Sequence, residues 1–151
     1  MEAFRISKEK FASTLNCSGK ENRWNKDGEQ ILYIGSSRAL ATLELIVHYN
    51  FVMPSDDFKV MVISLPDDDA LYEQILLKDL PKDWRSKSSY NELQKIGSDW
   101  YNSKRTLILK VPSAVIPKEY NFLINTTHPN FKKLIKLTRV EEYFWDERLF
   151  I

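Results

Sequence analysis

The chain has one cysteine, Cys17, among 151 residues, so it can form no internal disulfide and supply no thiolate metal cluster. Glycine is almost as scarce, with four scattered at positions 19, 28, 35 and 97. Nucleotide-cradling loops bunch their glycines around a phosphate, so a Walker loop and a GxGxxG fingerprint are both excluded. The two histidines, His48 and His128, stand too far apart to form a helical metal pair. A Ser/His/Asp hydrolase needs a nucleophile elbow, and none is present. Charge of one sign is also missing: 22 Lys and Arg against 21 Asp and Glu leave +1. That balance gives no argument for nucleic acid or an anionic membrane surface, and neither direct nucleic-acid binding nor a membrane is expected. The opening MEAFRISKEK has no apolar signal core, and no apolar run approaches a membrane span. The expected location is cytoplasmic, and the sequons Asn16-Cys17-Ser18 and Asn125-Thr126-Thr127 are read as chance matches.

What is present describes a globular chain. Hydrophobic residues make up 43%, charged residues 28% and aromatics 13%, values that give an ordinary core and rings enough to line a pocket. No repeat, low-complexity tract or linker divides the chain, so residues 1–151 are expected to form a single compact domain. Phe4-Arg5-Ile6 reads as an edge strand or a lead-in to a sheet. Residues 59–65 read as a largely buried strand ended by Pro66, and residues 106–111 as another, stopped by Pro112. Phe122–Asn125 and Leu134–Leu137 give two further short strands. Leu93, Ile96 and Trp100 share one face of a helix over residues 89–103. The aromatic tail, residues 142–150, is expected to dock onto the body. Asp67-Asp68-Asp69 is expected to be a solvated turn or helix start rather than a metal site. Strands separated by helices, with several short strands late, predict an α+β domain around a mixed or antiparallel sheet.

The richest stretch runs from Arg23 to Glu44. Asp27-Gly28 is a turn dipeptide, Ile31–Ile34 a strand, and Gly35-Ser36-Ser37 a break able to cap a helix over residues 38–51. On that helix Leu40, Leu43, Val47 and Phe51 fall on one stripe, and Glu44 lies on its flank, about 40° from Leu40. A carboxylate there is either partnered or working, because burying a bare charge is costly. Arg23 and Tyr33 are the nearest candidates for its company, and His48, one turn on, is a third. These residue types alone fit a structural salt bridge as well as a site.

Taken together, the motifs carry a resemblance. Phe4-Arg5-Ile6 comes first, then Arg23-Trp24-Asn25 with Gly28, Leu32-Tyr33, Ser36-Ser37 and Ala39-Leu40-Ala41-x-x-Glu44. Leu80-Pro81-x-x-Trp84, Gly97-x-x-Trp100 and Val111-Pro112-Ser113-Ala114-Val115 follow. Asn121-x-x-x-Asn125-x-x-His128-Pro129 and Phe144-x-Asp146-x-Arg148-Leu149 close the series. In this order, almost end to end, they resemble the RES-domain family of bacterial toxins, named for an arginine, a glutamate and a serine. Asn22 departs from the pattern, standing where the family usually has glycine.

The resemblance implies a fold similar to ADP-ribosyltransferases of the diphtheria-toxin kind. It also implies consumption of NAD+ as substrate without a metal, an Xre-like helix-turn-helix antitoxin as partner, and a homodimer. Its functional trio corresponds to Arg23, Glu44 and Ser113, with Tyr33 as a fourth catalytic member and Ser36 and Asn125 as further NAD+-binding candidates. Cleaving the nicotinamide–ribose bond develops positive charge on the sugar. Glu44 suits stabilisation of that charge, Arg23 a fork on the pyrophosphate, Tyr33 a stack on nicotinamide, and Ser113 a hydrogen bond to the amide or ribose. Trp24, Trp84, Trp100 and Trp145 are expected to be core or loop anchors. ADP-ribose would pass to water or phosphate. The alternatives are transfer to a host protein, or an idle chain that only binds its antitoxin.

Overall fold

A computed structural model describes all residues, Met1–Ile151. Seven strands form one sheet: β1 (Glu2–Lys8), β2 (Ile31–Gly35), β3 (Phe58–Ser64), β4 (Tyr72–Gln74), β5 (Ile108–Pro112), β6 (Tyr120–Asn125) and β7 (Lys136–Glu142). Their order is β4-β5-β6-β2-β1-β3-β7. Only β4 and β5 run parallel; the other pairs are antiparallel. The fold is α+β around a mixed sheet. Three helices accompany it: α1 (Arg38–His48), α2 (Tyr90–Ser103) and the short α3 (Phe131–Leu134). No helix is long and apolar enough to cross a membrane.

Alternation along the strands separates three apolar clusters. Leu32, Ile34, Met61, Ile63, Phe122 and Ile124 belong to one that spans the sheet. The second gathers Trp24, Ile31, Trp84, Leu93, Trp100, Leu109, Val111 and Leu123, with α2 supplying Leu93 and Trp100. The third joins Phe4, Ile6, Phe58, Val60 and Val62 with Ala41, Leu45 and Tyr49 of α1, and with Tyr143 and Trp145 of the tail. The sheet is thus two halves, β4-β5-β6-β2 and β1-β3-β7. They meet through β1 and β2 only at the Phe4–Gly35 pair, whereas β1 pairs with β3 along its whole length. Between the halves the strands splay, and a cleft opens.

Several expectations are corrected here. Phe4-Arg5-Ile6 lies in a central strand, because both its neighbours are supplied from distant sequence. Helix α1 ends at His48 rather than Phe51: Asn50 and Phe51 turn left-handed at φ 53° and 60°, and the Phe51 amide closes onto the Ile46 carbonyl at 3.0 Å. The expected stripe holds at Leu40, which is buried, and fails toward the C-terminal end of the helix. Ala41, Leu45 and Tyr49, at i, i+4 and i+8, meet the third cluster, while Val47 and Phe51 remain 42% and 44% exposed. Leu134 closes α3 instead of opening a strand, and β7 runs on to Glu142. The three-residue β4 was not anticipated, being too short to carry a period. The tail docks through Tyr143 and Trp145, with Phe144 left 80% exposed.

Gly97 of α2 packs against the Trp24 backbone. A Cβ on it would lie 1.7 Å from the Trp24 carbonyl oxygen, closer than any real contact. Gly97→Ala must therefore push α2 and the Trp24 loop apart. We expect a loss of about 1–3 kcal/mol in urea unfolding, as in overpacked cores; an unchanged midpoint would mean that the loop yields freely.

Candidate active site

The cleft at the splay of β1 and β2 has a volume of about 720 Å³. Its wall includes Arg23, Tyr33, Glu44, Arg85, Tyr90 and Asn121. The loop carrying Arg23 is a tight turn in which Asn22 and Asn25 pair through their backbones. Gln94 of α2 donates to the Asn22 carbonyl at 2.8 Å, and Trp24 is buried beside Trp84 and Trp100. Tyr33 secures the turn from β2: its phenol donates to Asn25 Oδ1 at 2.6 Å and accepts from the Trp24 amide at 3.3 Å. Asn25, itself 2% exposed, donates on to the Lys20 and Lys26 carbonyls. Asn22 sits comfortably where the family pattern has glycine, because its φ is not positive.

Arg23 carries its charge without a carboxylate. Its Nη1 donates to the Trp84 and Arg85 carbonyls at 3.0 and 2.9 Å, and the guanidinium lies over Tyr90, 4.9 Å from the ring centroid. Arg85 is tied only through Nε to the Ala114 carbonyl. Arg5, also in the wall, turns its guanidinium to the Asn16 carbonyl at 2.6 Å. The four arginines outside the cleft, Arg38, Arg105, Arg139 and Arg148, each hold a carboxylate. Unneutralised guanidinium forks at a cleft suit an anionic, phosphate-bearing ligand.

Glu44 finds company other than Arg23, Tyr33 or His48. Ser113 Oγ donates to its Oε1 at 2.6 Å, and Asn121 Nδ2 donates to the same oxygen at 2.7 Å. Ser113, expected to hydrogen-bond the substrate directly, does not line the cleft. It is 0% exposed, and its Oγ accepts the Val115 and Ile116 amides at 3.0 and 3.1 Å. Two amides on the lone pairs leave the hydroxyl proton only Glu44 to serve. Oε2 of Glu44 has no protein partner, in a side chain that lines the cleft.

Arg23, Tyr33, Glu44 and, through Glu44, Ser113 are thus brought together. Ser36 and Asn125 are not. Ser36 is exposed on the turn before α1; its neighbour Ser37 caps that helix through the Leu40 amide. Asn125 is wholly buried, donating to the Tyr101 carbonyl and accepting from Thr127. His48 lines the cleft but sets its ring edge-on to Tyr49. Asn121, Arg85 and Tyr90 were missed. Asn121 opened a quoted motif, yet nothing in the sequence joins it to Glu44.

The chain resembles known proteins along most of its length. The RES domain model matches residues 2–146. The chain is 38% identical over 129 residues to the "Prs ADP-ribosylating toxin" of Sphingobium sp. (strain YBL2), covering 84% of this chain and 79% of that protein. It is 32% identical over 153 residues to "Toxin Res" of Yersinia enterocolitica, covering 99% of each. In fold it is similar to a chain of the M. tuberculosis MbcT–MbcA toxin–antitoxin complex, with a TM-score of 0.73 and 14% identity over 94% of this chain and 83% of that one.

Burial pushes the Tyr33 phenol well above its ordinary range, so the folded state favours the neutral ring. The stability this confers is complete below the unfolded tyrosine value of about 10 and is lost as pH rises beyond it toward the folded value. Tyr33→Phe leaves the Asn25 oxygen unpaired at a cost of about 1–3 kcal/mol near neutral pH. Urea titrations should show that gap narrowing above pH ~10; a gap constant with pH would mean that Tyr33 ionises freely in the fold.

Proposed function

The chain belongs to the RES-domain family, and from that premise we propose that it is the toxin of a bacterial toxin–antitoxin pair that consumes NAD+. The observation that carries this reading is the cleft itself: one carboxylate, gripped through a single oxygen, faces guanidinium groups that no carboxylate neutralises. Breaking the bond between nicotinamide and ribose builds positive charge on the sugar. Glu44 meets that charge and holds the ribose hydroxyls, with Oε2 as its free acceptor. Arg23 and Arg85 bind the pyrophosphate by charge-assisted hydrogen bonds. Tyr33 and Tyr90 offer ring faces to the bases, and the raised phenol of Tyr33 stays a neutral donor throughout. Nicotinamide departs uncharged, so the leaving group requires no general acid.

ADP-ribose then passes to water or to phosphate. A second reading, transfer to a protein, draws support from the Sphingobium relative named as a Prs ADP-ribosylating toxin. An Xre-like helix-turn-helix antitoxin as partner, a toxin homodimer and a cytoplasmic site of action complete the proposal. An idle, antitoxin-binding chain is disfavoured by the presence of Arg23, Tyr33, Glu44 and Ser113 together.

Mass spectrometry of NAD+ incubated with the purified protein, with and without inorganic phosphate, tests this. Free ADP-ribose in both identifies water as acceptor; phosphate-dependent loss with ADP-ribose 1″-phosphate identifies phosphate. Label from NAD+ on a protein band in lysate supports the second reading. Glu44→Gln should melt like the wild type and lose at least about 100-fold in rate, as when a transition-state partner is removed. An equally active variant would overturn the assignment.

A further inference from the structure

The register of the sheet places one more residue in this chemistry. Across the strands runs a row in which Val111 of β5 faces Asn121 of β6, Asn121 faces Gly35 of β2, and Gly35 faces Phe4 of β1. Gly35 has no side chain, and α1 comes down over it, with the Ala41 amide nitrogen 3.1 Å from where a Cβ would stand. The bare position lets the next turn of α1, carrying Glu44, descend to the level of Asn121. There the Asn121 amide donates to Glu44 Oε1 at 2.7 Å while the Ser113 hydroxyl donates to the same oxygen at 2.6 Å. The two donors come from opposite ends of the β5–β6 connection, and both leave Oε2 untouched.

We infer that Asn121 is a positioning residue for Glu44: with Ser113 it forms a two-donor clamp on Oε1 that holds Oε2 toward the reacting sugar. This rests on the NAD+-cleaving reading of the cleft. A carboxylate held by one hydrogen bond can still rotate about it; two donors of different origin on one oxygen fix both its position and its plane. Because the acceptor is ionised, each bond is stronger than a neutral one. Ser113 is locked by the Val115 and Ile116 amides, so it can only donate. Asn121 lines the cleft and is the member of the clamp that a ligand can sense. It acts through Glu44 and takes no proton itself.

The kinetic test compares wild type, Asn121→Ala, Asn121→Asp, Ser113→Ala and the Asn121→Ala/Ser113→Ala pair for NAD+ loss, with melting curves as a check on folding. Asn121→Ala should lower kcat about 10- to 100-fold and leave KM unchanged, the loss expected for a misplaced catalytic group. Asn121→Asp, nearly isosteric, should be worse than Ala, because it sets a like charge against Glu44. The double variant should lose less than the product of the single losses, since both donors serve one oxygen. Full kcat in Asn121→Ala, or a loss confined to KM, overturns the inference. A readout independent of turnover is the side-chain amide resonance of Asn121 in 15N-labelled protein, which must move on Glu44→Gln. An inactive wild type would sink the NAD+ reading and leave the clamp to be judged by that resonance; an unmoved resonance would sink the clamp.

Discussion

The two halves of the sheet meet through β1 and β2 at a single residue pair, Phe4 with Gly35, and the hydrogen bonds onto Glu44 Oε1 reinforce that junction from above. Helix α1 packs on the β1-β3-β7 half through Ala41, Leu45 and Tyr49, whereas Ser113 and Asn121 belong to the other half. The carboxylate therefore bridges the split that creates the cleft. A charge half-withdrawn from water must be repaid by strong, well-directed donors, and two short bonds to one oxygen supply them. The same residue secures the walls and lines the cleft, which ties the shape of the cleft to the placement of its carboxylate.

Around this carboxylate the distribution of arginines carries a second message. Away from the cleft, guanidinium groups are spent on surface ion pairs, which contribute little to stability singly. At the cleft, Arg23 is held by backbone carbonyls and an aromatic face instead. Carbonyl dipoles and ring quadrupoles position a cation without cancelling its charge, so the field remains available to an anion. The chain's net charge of +1 conceals this local excess, since composition sums over the whole surface.

The supports of the Arg23 loop follow the same economy. Three small devices hold it: the Tyr33 phenol on Asn25, the Gln94 amide on Asn22, and the missing side chain of Gly97 beneath Trp24. Two of the three come from α2, sixty or more residues downstream. The anchor tryptophans then seal the loop from below, with Trp24 and Trp84 only 3% and 6% exposed, so the arginine is displayed from a rigid base rather than from a flexible arm.

Much of this was legible in the sequence where the cause is local. Asp27-Gly28 turns because glycine accepts a positive φ, here 89°; Ser37 caps α1 because its hydroxyl reaches the Leu40 amide; β3 and β5 announce themselves as apolar runs too short for helices. The motif series also pointed to Arg23, Tyr33, Glu44 and Ser113 before any of them had a place in space. What the sequence by itself determined, then, was the turns, caps and periods, and the residue types assembled at the site. Only the tertiary structure decided who partners whom: that Phe4–Ile6 is a central strand, that Ser113 faces Glu44 instead of the cleft, that Ser36 and Asn125 stand apart, and that Asn121 joins the carboxylate across 77 residues of chain. The reason is physical. A turn or a cap is settled by atoms a few bonds apart, whereas a strand neighbour or a hydrogen-bond partner is settled by register, and register exists only once distant segments have packed.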